Sequence, residues 1–486
     1  MAKKRMGMGS DLGLGARCGA PYAIALASLA WACSSGSDDP AVTTSNEPAQ
    51  PAPGGPGAAG GGSVQEGIDP NLPLVGGRPA RAENASADGC TLPALPAFAD
   101  LPEQAALPDP FVSIDGTPIT DASQWACRRA EIAAQVQEYE LGPKPPKPSL
   151  LTAALAGDQL TITTGEADES IDFTVTITRS ANAAEGPTPA LIIIGNGSAL
   201  APVFESRGIA TIAFNNGEMG AQGNRQEGDT YTNTRGQGKF YELYGADHGA
   251  GSMMAWAWGV SRIIDALEAT PEANIDTARL AVSGCSRNGK GALVVGAFDE
   301  RIALTVPQES GAGGSAAWRI SQAMMDDYKA TVNPMPAGGE GVQTLSSASG
   351  EQPWFRASFG QFGNTTNDVA RLPFDHHMVL GLVAPRALFV VDNTDMMWLG
   401  NESSFTDSVA AAEIWEGLGV QGAMGASQVG DSTHCSEVPQ AQLDGLAAFV
   451  DKFLLGSEAA DTNVLSSDKV TPDLARWVSW QTPALP

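Results

Sequence analysis

Short apolar runs separated by longer amphipathic stretches fill the chain from residue 190 onward. The runs are apolar at successive positions, as in strands that are covered on both faces of a sheet. The longer stretches repeat their apolar residues with helical spacing. Strands that alternate with helices indicate βαβ units and a mainly parallel sheet. The predicted strands are 190–194, 209–214, 280–282, 302–306 and 386–391, and the predicted helices are 253–267, 289–298 and 440–455.

The first 33 residues have the pattern of an export signal. Lys3, Lys4 and Arg5 form a positive start, and residues 23–32 form an apolar run that is too short to span a bilayer. Cys33 follows this run directly and resembles the lipidated cysteine of a bacterial lipoprotein signal. We therefore expect export, with two possible outcomes. The chain is either a lipoprotein of the bacterial cell surface or outer membrane, anchored through Cys33, or a secreted protein released by ordinary signal cleavage.

Residues 34–87 are rich in Pro, Gly and Ser and contain few large apolar side chains. Such a composition cannot bury enough apolar surface to fold, so we predict a disordered tether. Residues 88–486 are then expected to form one folded domain.

The charge balance excludes one class of partner. The 486 residues carry a formal net charge of −27, so a nucleic acid would be repelled over most of the surface. Hydrophobic residues make up 43% of the chain, which is enough for a large core. No pattern indicates an oligomer, and we expect a monomer.

Four cysteines follow the predicted export signal, and an even number in an exported chain suggests two disulfides. Three connectivities are possible. Position along the chain favours Cys90–Cys127, within one N-terminal stretch, and Cys285–Cys435, which flank the two residues of greatest chemical interest. No closely spaced set of Cys and His predicts a metal site.

The strongest catalytic signal is the segment 280–291, which reads as a strand, a sharp turn and a helix. Ser286 lies in the turn, at the carboxyl end of the strand, where nucleophiles of α/β enzymes are found. Gly284 precedes it by two positions, whereas Gly289 follows by three rather than the usual two. The first amides of the helix and the guanidinium of Arg287 would be directed at a developing oxyanion.

A serine nucleophile needs a base, and the chain has four histidines. In the chain order of α/β-hydrolases the base follows the last strand, which favours His434. His376 and His377 are expected to brace a loop, and His248 to cap a helix or line a cleft.

The base needs an orienting carboxylate, and two places offer one. Glu309 follows the strand 302–306, whereas Asp392 and Asp395 follow the strand 386–391. Spacing alone does not choose between them.

Across residues 88–455 the sequence resembles the glucuronoyl esterases of carbohydrate esterase family 15. The most specific matches are GCSRNGK at 284–290 and PQESG at 307–311. Supporting matches are LPDPF at 107–111, WACRR at 125–129, EYELG at 138–142, LPFDHH at 372–377, APR at 384–386, WLG at 398–400 and HC at 434–435. The resemblance implies an α/β-hydrolase fold, a three-layer α/β/α sandwich around a mainly parallel sheet, with an open cleft.

The resemblance also implies hydrolysis of the ester between (4-O-methyl-)glucuronic acid of glucuronoxylan and a lignin alcohol, with no cofactor or metal. It implies Ser286 as nucleophile, His434 as base, Glu309 as acid and Arg287 as oxyanion donor. Because some bacterial relatives place the acid after the later strand, Asp392 and Asp395 remain alternatives. The positions that match the family's sugar contacts are Lys290, Gln343, Glu351 and Trp398.

Two other functions remain compatible with these residues. One is an acetyl-xylan or feruloyl esterase on the same fold, which the implied sugar contacts disfavour. The other is a non-catalytic carbohydrate-binding surface lipoprotein, which an intact set of nucleophile, base and acid disfavours.

Overall fold

The computed structural model describes the residues 82–84, 89–166, 168–195, 197–223, 232–332, 341–350, 353–430 and 432–486. The predicted export signal, Cys33 and most of the predicted tether lie outside these residues. Of the described helices, none has both the length and the apolar character that crossing a membrane requires.

One mixed sheet forms the centre of the described residues. Its strands are ordered β1-β2-β3-β5-β4-β6-β7-β8-β9-β10. The strands β1 to β3 are antiparallel, β3 joins β5 antiparallel, and all pairs from β5 to β10 are parallel. The strands are β1 Leu150–Ala156, β2 Gln159–Glu166, β3 Glu169–Thr178, β4 Thr188–Ile194, β5 Ala210–Phe214, β6 Ile275–Cys285, β7 Ile302–Gln308, β8 Ala387–Asp392, β9 Met424–Gln428 and β10 Leu465–Ser467.

Helices flank this sheet in two groups that make contacts among themselves. In the first group α5 packs on α6 and α6 on α10, and in the second α12 packs on α2. The helices are α1 Trp125–Val136, α2 Ala201–Glu205, α3 Asn216–Met219, α4 Lys239–Tyr244, α5 Ser252–Glu268, α6 Arg287–Phe298, α7 Trp318–Thr331, α8 Leu345–Gly350, α9 Thr366–Val369, α10 His376–Gly381, α11 Asn401–Gly417, α12 Gln440–Phe453 and α13 Leu474–Trp477. The five strands and three helices predicted from the sequence correspond to β4–β8 and to α5, α6 and α12. The prediction of an α/β-hydrolase fold is confirmed.

The antiparallel strands β1–β3 were not among the predicted elements, although the sequence of β3 alternates between apolar and polar residues as a strand does. In β3, Ile171, Phe173, Val175 and Ile177 are buried and alternate with polar residues, as one-sided strands do. The strand β9 has no comparable signal, since its sequence MGASQ is poor in β-branched residues.

The pairing of β6, β7 and β8 determines where the candidate chemistry lies. Cys285 pairs with Gln308, and Gln308 pairs with Val391. The residues that follow these pairs therefore meet at one edge of the sheet. Ser286 and Glu309 are the first residues after β6 and β7.

Glu83 connects the N-terminal segment to the folded body, although it lies within the stretch predicted as a tether. Its carboxylate oxygens lie 2.6 Å from Lys144 Nζ and 2.5 Å from Arg262 Nη2. Its backbone carbonyl accepts a hydrogen bond from the amide of Glu300 at 3.0 Å. Because both cations are buried, this acidic residue is part of the folded domain.

Candidate active site

The turn after β6 holds Ser286 in a strained conformation, with φ 59° and ψ −127°. The two glycines beside it have no room for a side chain. A Cβ on Gly284 would lie 2.4 Å from the carbonyl oxygen of Asn288, and one on Gly289 would lie 2.6 Å from that of Gln308. Gly289 is the point where α6 packs closely against β7. This contact explains why the second glycine lies three residues after the serine.

The imidazole of His434 lies against the carboxylate of Glu309. The His434 Nδ1 to Glu309 Oε2 distance is 2.7 Å, and the amide of Cys435 donates to Glu309 Oε1 at 3.1 Å. The glutamate side chain is 4% exposed and that of the histidine 31%. A buried carboxylate thus fixes the orientation of a histidine that solvent or substrate can reach.

Both predicted disulfides are present and confirmed. Cys90 is bonded to Cys127, and Cys285 to Cys435. The second bond joins the residue before Ser286 to the residue after His434. A ring nitrogen of His434 accordingly lies within 4.8 Å of Cys285 Sγ. The disulfide therefore limits how far the candidate base can move from the candidate nucleophile.

Backbone strain in the described residues is concentrated at this site. Four non-glycine residues in this part of the chain have a positive φ, and three of them are Ser286, Glu309 and Cys435. The fourth, Asn274, lies in a turn before β6. Sparsely populated conformations persist where the surrounding structure enforces them, and they cluster at functional sites.

The two alternative acids have other partners. Asp392 is buried, and its Oδ2 accepts hydrogen bonds from Ser315 Oγ at 2.7 Å and from Ser404 Oγ. Asp395 is exposed and pairs with Lys469. In the described part of the chain, the carboxylate on the His434 ring is that of Glu309.

Burial raises the pKa of Asp392 to about 6; the charge of Glu309 raises it as well, whereas the two serine hydroxyls and Lys290 lower it. Its usual pKa in an unfolded chain is 3.8. Between these values the folded state binds the proton and the unfolded state does not, so stability falls as the pH rises from about 4 to 6. We expect this loss to be about 3 kcal/mol relative to Asp392→Asn, at 1.4 kcal/mol per pH unit.

Urea unfolding of the protein and of Asp392→Asn at pH 4, 5, 6 and 7 measures the difference. The gap in unfolding free energy between the two should widen up to pH 6 and stay constant above it. A gap that does not change with pH would show that Asp392 titrates normally.

Arg287 begins α6, directly after Ser286. Its guanidinium lies over the ring of Trp354, 5.5 Å from the centroid. The indole is 3% exposed. Arg287 is half-buried, so its side chain is accessible to a bound group.

Lys290, one helical turn further along α6, is buried rather than solvated. Its Nζ donates to the backbone carbonyls of Ser310 and Ala312 and to Gln343 Oε1 at 3.1 Å. An ammonium has three donors, so direct donation to a sugar hydroxyl would replace one of these bonds. The backbone amide of Gln343 donates to the backbone carbonyl of Trp398 at 2.9 Å. Lys290, Gln343 and Trp398, three of the four predicted sugar contacts, are therefore linked by hydrogen bonds. Glu351, the fourth, lies outside the described residues.

The other histidines have other partners. His376 contacts Gly314 O at 2.8 Å and Glu140 at 3.1 Å, and His377 contacts Pro108 O at 2.8 Å. Both are buried and connect loops, as their position in the sequence suggests. His248 accepts the amide hydrogen of Ala250, two residues further along.

Comparison with known proteins identifies the family. A family model described as glucuronyl esterase, fungi, matches residues 162–419. The 4-O-methyl-glucuronoyl methylesterase of Hypocrea jecorina is 48% identical over 399 residues, 82% of this chain and 80% of that protein. This chain belongs to the glucuronoyl esterases, carbohydrate esterase family 15.

Solved glucuronoyl esterases have the same fold. The catalytic domain from Hypocrea jecorina is 46% identical and superposes with a TM-score of 0.72, over 81% of this chain and all of that one. A serine-to-alanine mutant from Sporotrichum thermophile, 40% identical with a TM-score of 0.71 over 82% of this chain and all of that one, is in complex with methyl 4-O-methyl-β-D-glucopyranuronate. The resemblance to glucuronoyl esterases is thus confirmed.

Several residues around this glucuronoyl esterase centre were not singled out from the sequence. Trp354 is 67 residues from Arg287 along the chain, and nothing local to either marks the pair. Two serines donate hydrogen bonds to Asp392: Ser315, in the loop before α7, and Ser404, in α11. An isolated serine has no sequence pattern that marks such a contact. These particular contacts, between residues that carry no local signal, follow only from the tertiary structure.

Proposed function

We propose that this protein hydrolyses the ester between (4-O-methyl-)glucuronic acid of glucuronoxylan and lignin alcohols, with Ser286, His434 and Glu309 as nucleophile, base and acid. The observation that carries the proposal is the 2.7 Å contact between His434 and Glu309, on a histidine that a disulfide ties to the nucleophile turn. The glucuronate ester bound to the related Sporotrichum enzyme supports the substrate class.

The reaction takes two steps with one base. Ser286 Oγ attacks the ester carbonyl, and His434 removes the serine proton through Nε2, because Nδ1 is held by Glu309. The imidazolium then returns the proton to the leaving alcohol, which leaves a glucuronoyl-serine ester. Water, deprotonated by the same histidine, hydrolyses this acyl-enzyme and frees the serine.

Charge on the carbonyl oxygen develops next to the start of α6. The amide of Arg287 and its guanidinium are the donors we assign to the oxyanion, and losing one such donor costs about 100- to 1000-fold in rate. On the sugar side, hydrogen bonds connect Lys290 to Gln343 and Gln343 to Trp398. We assign these three residues to the surface that contacts the ring hydroxyls. Since the substrate carboxylate is esterified, the acidic protein does not repel it.

The test is hydrolysis of benzyl glucuronate by the full chain, beside its Ser286→Ala variant. We expect turnover by the wild type and none above background by the variant. Cleavage of acetylated or feruloylated xylan without uronate turnover would replace the substrate but keep the hydrolase. Binding of glucuronoxylan without any turnover would favour a non-catalytic carbohydrate-binding protein.

We also propose that the chain is exported through residues 1–33 and that a tether joins this signal to the catalytic domain. Two disulfides in the domain support an oxidising compartment. Mass spectrometry of the mature protein separates the two forms. Lipid on Cys33 would indicate a membrane-anchored lipoprotein, and an unmodified new N-terminus would indicate a released protein.

A further inference from the structure

The side chain of Arg287 is held differently from the buried arginines of the domain. Within the residues that the structure describes, it has no ion pair or hydrogen bond, and its contact is the face of Trp354. Arg262 also lies over an indole, that of Trp258 at 5.4 Å, but it is neutralised by Glu83 and Asp265 as well. The charge of Arg287 is therefore oriented without being cancelled.

The backbone fixes Trp354 in place. The first two amides of α5 donate to the segment that carries it, Ser252 N to Pro353 O at 2.7 Å and Met253 N to Trp354 O at 3.2 Å. A Cβ on Gly251 would lie 2.3 Å from the Trp354 carbonyl oxygen, so the approach requires glycine there. The backbone that carries the ring is thus anchored to the start of α5 rather than to a loose loop.

The presence of a tryptophan at position 354 indicates a role for its ring face, because the indole N–H makes no hydrogen bond within the described residues. Within the described residues, Trp354 Nε1 is buried and has no hydrogen-bond partner. Burying an unpaired donor costs stability, which phenylalanine would avoid. Tryptophan offers the best face for a guanidinium, so the ring face explains the choice.

We propose that Trp354 is a positioning residue that holds the Arg287 guanidinium over its ring face, directed at the oxyanion of the attacked ester. A carboxylate could position the arginine as well, but it would neutralise the charge that the transition state needs. The ring holds the cation by its quadrupole and leaves the N–H donors free for the substrate. This inference rests on the proposed function, in which Arg287 stabilises the oxyanion.

The test is a double-mutant cycle on benzyl glucuronate hydrolysis. We expect Trp354→Leu to lower kcat by about 10- to 30-fold with KM changed less than twofold. Trp354→Phe, which keeps a smaller face, should lose about threefold. In an Arg287→Ala background, neither substitution should lower kcat further, because the group they position is gone.

Trp477→Leu is the matched control. Trp477 is also buried, at 8% exposed, and lies under Arg476 at 4.6 Å, and neither residue belongs to the proposed site. This variant should keep wild-type kcat. Equal losses from Trp354→Leu in both backgrounds, or a loss in KM alone, would overturn the positioning role. If Trp354→Leu does not fold, the cycle with Trp354→Phe decides.

Failure of the proposed function would look different. Ser286→Ala would then keep wild-type turnover, or no variant would show uronate esterase activity. An inactive Ser286→Ala together with additive losses at positions 287 and 354 rejects only the positioning role.

Discussion

Glu309→Ala is expected to lower kcat for benzyl glucuronate by about 10⁴-fold, a smaller loss than that of Ser286→Ala. The carboxylate accepts from His434 Nδ1 at 2.7 Å and holds the tautomer that leaves Nε2 free to act as base. In the proposed mechanism it also stabilises the imidazolium that forms after proton transfer. Without it, the ring loses both its orientation and its countercharge.

The alternative acids supply the controls for this prediction. Asp395→Ala should leave kcat unchanged, because Asp395 forms an exposed ion pair with Lys469. Asp392→Asn should stay within about tenfold of wild type, since its carboxyl group binds Ser315 and Ser404. Near-normal activity of Glu309→Ala, with a large loss in Asp392→Asn or Asp395→Ala, would instead locate the acid after β8.

Glu83→Ala is expected to destabilise the folded domain by about 3 kcal/mol, the cost of removing one partner from a buried ion pair. The side chains of Lys144 and Arg262 are 4% and 0% exposed and both contact this carboxylate. Burial lowers the pKa of Lys144, and the charge of Glu83 opposes that shift. Without Glu83, two close cations would face each other with less compensation.

Urea unfolding of the full chain and of three variants measures this effect. Glu83→Gln, which removes the charge but keeps the shape, should recover only part of the loss. Glu103→Ala is the matched control, since its pair with Arg371 is solvent-exposed and such pairs contribute about 1 kcal/mol or less. Equal stability of Glu83→Ala and wild type would show that the N-terminal segment is not part of the folded domain.

A shortened chain that begins at residue 88 is expected to be unstable for the same reason. It lacks Glu83 and its backbone hydrogen bond to Glu300, so it should be at least as unstable as Glu83→Ala. A shortened chain for activity measurements should therefore begin before residue 82.

The sequence alone predicted the elements and the candidate residues that are encoded locally. Continuous apolar runs predicted β4 to β8, because a strand buried on both faces needs such a run. The glycines around Ser286 predicted a sharp turn that carries a candidate nucleophile, since the crowded backbone there excludes side chains. The counts and positions of His and Cys led to His434 and to both disulfides, because four histidines and four cysteines after the export signal leave few arrangements.

The tertiary structure decided what depends on contacts between distant segments. It brought Glu309 rather than Asp392 or Asp395 to His434, and it placed Trp354 under Arg287 and Glu83 on two buried cations. Neither spacing nor composition could order the two strand ends that offered a carboxylate. The reason is physical: hydrogen bonds, ion pairs and ring contacts act over a few ångströms in space, and only folding sets which distant residues come that close.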